Sequence, residues 1–264
     1  MNTRQRKPHS LPACKACHNA LNPDRTLGEK NGYALLRCEG CGSVTVDPFP
    51  SVEELVAFYQ SYKGTTNYRA KETSKIRRAS RRIAYLRQMT PGKVFLDVGC
   101  NYGFTVKAAL ALGLDAKGID IDETAVKASQ ESFGADNFRT IAVQDYANEG
   151  HKADIIYTSE VVEHVHDPDA FIDAIAKILS PGGVLYLTTP DAGHWRVPRS
   201  FLKWPTVTPP EHITYFTRLG ITRLLNAHGL KVEKFFLAWK PGMRLVVRKA
   251  DRSVPDDVVE RIVR

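Results

Sequence analysis

Apolar positions in the second half of the chain come in short runs between longer amphipathic stretches. The runs are Val94–Val98, Ala116–Asp120, Phe138–Val143, Asp154–Ser159 and Val184–Thr189. Each has the length of a buried strand and precedes a helical stretch or loop, an order that predicts a parallel sheet wrapped by right-handed crossovers. Two further runs, Val232–Ala238 and Leu245–Arg248, lie too close together to enclose a crossover helix. They predict an antiparallel hairpin at the end of the sheet. The expected fold class is α/β.

Ahead of this region the pattern changes. Tyr33–Cys38 reads as a strand, and Ser51-Val-Glu-Glu54 is a capping box that opens a helix from Glu53 to Gln60. The stretch Thr65 to Met89 predicts a second helix, with Ile76, Ile83 and Leu86 on one face. Lys71, Lys75, Arg77, Arg78, Arg81 and Arg82 crowd the remainder.

The first strand of the α/β region ends in Asp97 and runs into Gly99-Cys-Asn-Tyr-Gly103. Small residues at such a turn let the backbone approach a ligand at a helix N-terminus. The next strand ends in Asp120, an acid placed to accept hydrogen bonds from both hydroxyls of a ribose. The turn is not G-x-G-x-x-G, and no Lys-Ser or Lys-Thr follows it. An adenosine ligand without a pyrophosphate fits better than a dinucleotide or a triphosphate.

Asp97-x-Gly99-x-x-x-Gly103 with Asp120 resembles the nucleotide-binding half of class I S-adenosylmethionine-dependent methyltransferases. The similarity continues through Val143-Gln-Asp145, Tyr157–Pro168, Leu179–Gly183 and Pro210–Phe216, and covers roughly residues 90 to 250. Such an ordered set resembles the branch that includes ubiquinone-pathway O-methyltransferases and bacterial sugar and natural-product enzymes. The resemblance implies a Rossmann-like seven-stranded sheet, parallel with a C-terminal antiparallel hairpin. It also implies S-adenosylmethionine as cofactor. Asp97, Gly99, Cys100, Asn101 and Gly103 would face its methionine part, Asp120 its ribose, and Asp145 its adenine with Tyr146 beside it; Ile121 and Glu160 would complete the set. Asp145 reads equally well as a helix cap, and Cys100 as a small packing residue.

The segment Glu160-Val-Val-Glu-His164 follows the fourth strand. If it opens a helix, Glu160, Glu163 and His164 share one face. Two carboxylates and an imidazole so placed can bind a divalent cation. The segment resembles the E-x-x-E-H cluster that some relatives, among them ubiquinone-pathway O-methyltransferases, use for Mg²⁺, although very similar segments occur in relatives not known to need metal. His212 is the natural further ligand. Metal-free acid/base chemistry by Glu163, His164 and His212 is the rival expectation, and packing is the third.

Cys14-Lys-Ala-Cys17 and Cys38-Glu-Gly-Cys41 are two C-x-x-C knuckles. Two such pairs complete a tetrahedral site, which suits structural zinc and leaves no open position. The expected organisation is a zinc ribbon over residues 1–50 and a helical connector covering the cofactor over 51–90. A methyltransferase domain over 91–250 and a tail over 251–264 complete it. Tyr62 and Tyr68 fall in the connector. Between Pro190 and Phe216 a stretch rich in Pro, Trp and His is expected to line the acceptor, with Trp195, Phe201 and Trp204 as a pocket wall or as a satellite core.

Charge adds one asymmetry. Of the net +8, residues 1–92 carry 16 Lys and Arg against 7 Asp and Glu, whereas the rest carries 21 against 22. The basic N-terminal part attracts phosphorylated acceptors or RNA, or is simply a solvated surface. The basic, polar N-terminus has no apolar core of a signal peptide, and no apolar run is long enough to span a bilayer, so a cytoplasmic enzyme is expected. The expected reaction is methyl transfer to a small-molecule acceptor of sugar, quinone-like or natural-product type, most simply at oxygen. RNA methylation and a non-catalytic cofactor-binding module are the alternatives.

Overall fold

The computed structural model describes residues 12–61 and 72–250; Tyr62, Tyr68, Lys71 and the tail from residue 251 lie outside them. The N-terminal part forms strands β1 (Thr26–Lys30), β2 (Tyr33–Arg37) and β3 (Val44–Asp47), then helix α1 (Val52–Ser61). The capping box is reciprocal: the Ser51 amide donates to Glu54 Oε2 at 2.9 Å, and the Glu54 amide donates to Ser51 Oγ at 3.2 Å. Helix α2 (Glu72–Leu86) buries Ala79, Ile83 and Leu86 and leaves Arg77, Arg78 and Arg81 exposed.

The α/β region follows as β4 (Val94–Val98), α3 (Phe104–Ala111), β5 (Asp115–Asp120), α4 (Glu123–Phe133) and β6 (Phe138–Thr140). It continues through α5 (Val143–Asn148), β7 (Ala153–Ser159), α6 (Pro168–Ile178), β8 (Leu179–Pro190) and β9 (Thr214–Tyr215). Helix α7 (Arg218–Ala227), β10 (Leu230–Phe235) and β11 (Gly242–Lys249) close it. Seven strands make one sheet in the order β10-β11-β8-β7-β4-β5-β6. Strands β4 to β8 pair in parallel, and β11 pairs antiparallel with both β8 and β10. This is the parallel sheet with a terminal hairpin that the apolar runs predict.

Some boundaries differ. Strand β6 stops at Thr140, because Val143, expected at its end, instead opens α5 and is buried there. Strand β8 is longer than its apolar run: Leu179 already pairs with Ala153, and the register shifts across Ser180–Gly183 before Val184 meets Ile155.

Alternation within the strands sends side chains to two cores. Phe95, Tyr157 and Tyr186 face α2 and α3. Leu96, Ile156 and Leu185 face α6, α7 and the four cysteines of the N-terminal part. A third cluster joins Leu35, Val44 and Val46 to Phe201, Trp204, Ile213 and Tyr215. It surrounds a second sheet, β1-β2-β3-β9, whose last strand is supplied from beyond residue 200. The ribbon expected to end near residue 50 therefore shares its sheet with the C-terminal half. Among the described residues, no helix is long and apolar enough to cross a membrane.

Candidate active site

The carboxyl ends of β4, β5 and β7 gather most of the predicted residues. After β4 the chain reverses through Gly99 (φ 78°), Asn101 (φ 45°) and Gly103 (φ 70°). A Cβ on Gly103 would lie 2.6 Å from the Phe138 ring, and one on Gly99 2.4 Å from Val161. Asp120 pins the turn, accepting the Asn101 amide at 2.7 Å and the Asp122 amide at 3.0 Å. Ser129 Oγ donates to the Asn101 carbonyl at 2.9 Å. Cys100 is buried over Gly118, so its side chain packs and only its backbone belongs to the turn.

Asp97 is 3 % exposed. Burial, with the charge of Asp120 beside it, pushes its carboxyl up to about 8. Two carboxyls thus flank the turn, an arrangement that favours a cationic ligand. Ile121 projects from it with 74 % exposure. Asp145 is exposed in the first turn of α5, whereas the Tyr146 ring is buried and stacked on His151, with centroids 4.3 Å apart.

The E-x-x-E-H segment does not open an α-helix. Glu160 is left-handed (φ 59°) and Val162–His164 make a single 3₁₀ turn. The next α-helix, α6, begins only at Pro168, with Asp167 as its N-cap. Glu160 is directed to Thr188, which donates to its Oε1 at 2.8 Å.

Glu163, His164 and His212 nevertheless converge, one potential ligand atom from each lying within 4.8 Å of the others. Glu163 is fully buried; its Oε2 accepts from Thr189 Oγ1 at 2.9 Å, and its Oε1 has no hydrogen-bond partner. Burial, then the charge of Glu160, raises this carboxyl well above its usual range. His164 Nδ1 lies 2.7 Å from the Glu211 carbonyl, so Nδ1 carries the proton, and Nε2 keeps its lone pair 3.9 Å from Glu163 Oε1. Burial lowers His164 to about 3 and also lowers His212, whose Nδ1 is buried without a hydrogen-bond partner. Three side chains that can each offer one ligand atom thus meet at one point, Glu163 held by Thr189 and His164 by the Glu211 carbonyl, a donor set that fits a divalent cation. Glu160, expected as a fourth ligand, stands outside the group.

Two residues enter this region without having been expected. Tyr59 on α1 places its hydroxyl 2.9 Å from His164 Nδ1. Arg82 on α2 donates to the Tyr157 hydroxyl at 2.7 Å and lies over the Tyr186 ring. Tyr157 is the register partner of Asp97. Both residues come from far along the chain, and only the basic and aromatic character of their helices hinted at them. Of the expected pocket wall, Phe201 and Trp204 are buried in the satellite core, while Trp195 is 72 % exposed beside Trp239. Behind Trp195 a cavity of about 390 Å³ is lined by Asp191, His194, Thr217, Arg218 and Leu237.

The four predicted cysteines also meet. Their sulfurs lie within 4.8 Å of one another, with Cys14–Cys41 and Cys17–Cys38 both at 3.6 Å. Ligands of tetrahedral zinc, about 2.3 Å from the metal, stand about 3.8 Å apart, so the donor set fits that ion. Hydrogen bonding from Cys14 draws the Cys41 thiol down, while burial pushes Cys17 up.

Comparison with known proteins agrees with the fold. A family model described as a methyltransferase domain matches residues 68–234. The ubiquinone biosynthesis O-methyltransferase of Bartonella tribocorum is 40% identical over 99 residues, 36% of this chain and 40% of that protein. Its counterpart from Brucella ovis is 34% identical over 103 residues, 37% and 41% of the two chains. The chain thus matches about 40% of the length of these curated relatives. Among solved structures, 1,6-didemethyltoxoflavin-N1-methyltransferase from Burkholderia thailandensis, with bound 1,6-didemethyltoxoflavin and S-adenosylhomocysteine, superposes with TM-score 0.58 at 16% identity. The superposition covers 85% of this chain and 98% of that one. Magnesium protoporphyrin IX methyltransferase from Synechocystis PCC 6803, with bound SAH, gives 0.54 at 17% identity over 75% and 95%. At such identities the likeness concerns the fold. With the family model covering well over half of its length, the chain belongs to the methyltransferase-domain family.

Proposed function

We propose that the protein transfers a methyl group from S-adenosylmethionine to an oxygen of a small-molecule acceptor. The observation that carries this reading is the convergence of Glu163, His164 and His212 beside a glycine turn flanked by Asp97 and Asp120. The cofactor carries a sulfonium and an ammonium, and buried carboxyls at the turn complement those charges. In this reading Asp97 and the backbone of Gly99–Gly103 hold the methionine part, Asp120 the ribose, and Ile121 the adenine face, with Asp145 near its edge.

Glu163, His164 and His212 would hold a divalent cation, Mg²⁺ or a transition metal, which when bound lowers the pKa of an acceptor hydroxyl. Among the chain's own groups, Thr189 fixes Glu163, while Tyr59 and the Glu211 carbonyl fix the His164 ring. Arg82 counters the negative field of Glu160 near the methyl-transfer path. Much of the rate would come from holding donor and acceptor in line. Curated relatives named as O-methyltransferases favour oxygen. The four cysteines are read as a structural zinc site.

The test supplies S-adenosylmethionine with a labelled methyl group to the protein and a metabolite-plus-RNA extract, with Asp97→Ala as blank. Label in nuclease-resistant small molecules supports the reading. Label that disappears from the polymer fraction on RNase treatment replaces it with RNA methylation through the basic face of α2.

A further inference from the structure

Strand β9 belongs to two structures at once. It is the fourth strand of the ribbon sheet, pairing Val44 with Tyr215 and Thr45 with Thr214. Immediately before it, the Ile213 peptide is held from both sides. Its carbonyl accepts the Val46 amide of the ribbon at 3.2 Å, and its amide donates to the Glu163 carbonyl at 3.0 Å. His212, the adjacent residue, turns its ring toward His164, with centroids 4.5 Å apart.

Beyond the strand, the second cysteine knuckle is the anchor. Thr217 Oγ1 donates to the Cys41 carbonyl at 2.6 Å, and the Thr217 amide donates to Ser43 Oγ at 3.2 Å. Arg223 on α7 donates to the Gly40 carbonyl at 2.8 Å. Gly40 and Cys41 lie inside the knuckle Cys38–Cys41, whose backbone path is set by two thiolates converging on one point. The glycine turn and Asp120 hang instead on β4 and β5.

We propose that zinc bound by the four cysteines positions Glu163 and His212 through strand β9, so that the ribbon is a working part of the candidate active site and not a separable module. Thr217 is the positioning residue of this link. Four thiols crowded at van der Waals distance hold one geometry only around a metal, and chelation releases the knuckle. The carbonyls of Gly40 and Cys41 then move, and the 212–217 segment loses its anchor. The Ile213–Glu163 bond goes with it, because its donor, the Ile213 amide, lies in that segment. The cofactor turn keeps its own supports, Asp120 holding the Asn101 amide and Ser129 its carbonyl, so cofactor binding is expected to be retained.

The experiment uses the full-length protein, with zinc content measured and hydrogen exchange followed by mass spectrometry before and after chelation. Protection is expected to fall in 38–47, 212–217 and 162–164 and to persist in 94–98 and 115–120, with S-adenosylhomocysteine binding retained. Mn²⁺ uptake at Glu163, His164 and His212 is expected to drop about 10–100-fold, the usual cost of losing supporting contacts around a metal. In zinc-loaded protein, Thr217→Val is expected to reproduce the loss of Mn²⁺ affinity and Thr217→Ser to restore it.

Three results overturn the inference: purified protein without zinc, a 212–217 segment that stays protected while the ribbon exchanges, or loss of protection across the whole chain. If zinc-loaded wild type takes up no Mn²⁺, the cation reading under Proposed function fails instead, and the exchange pattern still decides this one.

Discussion

The Tyr59 hydroxyl lies 2.9 Å from His164 Nδ1 and 3.2 Å from the Glu211 carbonyl to which that ring nitrogen donates. A residue outside the matched methyltransferase domain thereby helps to fix the tautomer of a residue inside it. Helix α1 buries only Leu55 among its side chains described, so Tyr59 is its principal tie to this region. Tyr59→Phe should lower turnover and Mn²⁺ affinity by about 2–10-fold, the net worth of one hydrogen bond. Melting temperature should hardly move, because the ring is 37 % exposed. Unchanged affinity and turnover would reduce α1 to a cover.

Gly103 offers a test of the turn itself. Its φ of 70° and the Phe138 ring, 2.6 Å from where a Cβ would stand, both exclude a side chain. Gly103→Ala should destabilise the protein by about 1–3 kcal/mol through backbone strain and crowding. It should also weaken S-adenosylhomocysteine binding, measured by calorimetry, while Mn²⁺ binding at Glu163 is kept. A variant that binds both ligands normally would detach the turn from the cofactor.

The parts of this arrangement that were legible in advance are local in sequence. Strand periods, the glycine turn, Asp120 and the paired cysteines each declare themselves within a few residues, because their physics is backbone conformation or ligand spacing. Glu163 and His164 were visible in the same way, although the expected helix gave way to a 3₁₀ turn ahead of Pro168. What stayed hidden depends on distant packing. Tyr59 meets His164 across 105 positions and Arg82 meets Tyr157 across 75. Strand β9 is two residues long, too short to show a period, yet it ties the ribbon to the His212 segment. Phe201 and Trp204 had two readings, and burial against Tyr215 decides for the satellite core.

Glu163→Gln tests the proposed cation site. The side chain keeps its shape and its contact with Thr189, and the Oε1 position has no hydrogen bond to lose. Charge count among ligand oxygens sets divalent-cation affinity over orders of magnitude. Mn²⁺ binding, followed by electron paramagnetic resonance, should weaken roughly 100-fold on that account. Cofactor affinity should be unchanged. Wild-type Mn²⁺ binding in this variant would move the cation away from Glu163.

Asp97 makes the cofactor's charge measurable as a proton. The folded carboxyl titrates at about 8 against 3.8 for the free side chain, raised first by burial and then by Asp120. Between those values the folded, ligand-free chain holds a proton that the unfolded chain has released. Its stability therefore falls as pH rises through that window, by at most about 1.4 kcal/mol per unit. Binding of the cationic cofactor favours the ionised carboxylate and expels the proton. At pH 6.5, calorimetry in two buffers of different ionisation enthalpy should register release of up to about one proton per cofactor bound. Affinity should rise with pH, approaching about tenfold per unit, and level off above the Asp97 titration. Asp97→Asn should abolish the proton release and flatten both pH dependences. Wild-type binding without proton release at pH 6.5 would mean that Asp97 does not meet the cofactor's positive end, and the turn would have to hold it by backbone alone.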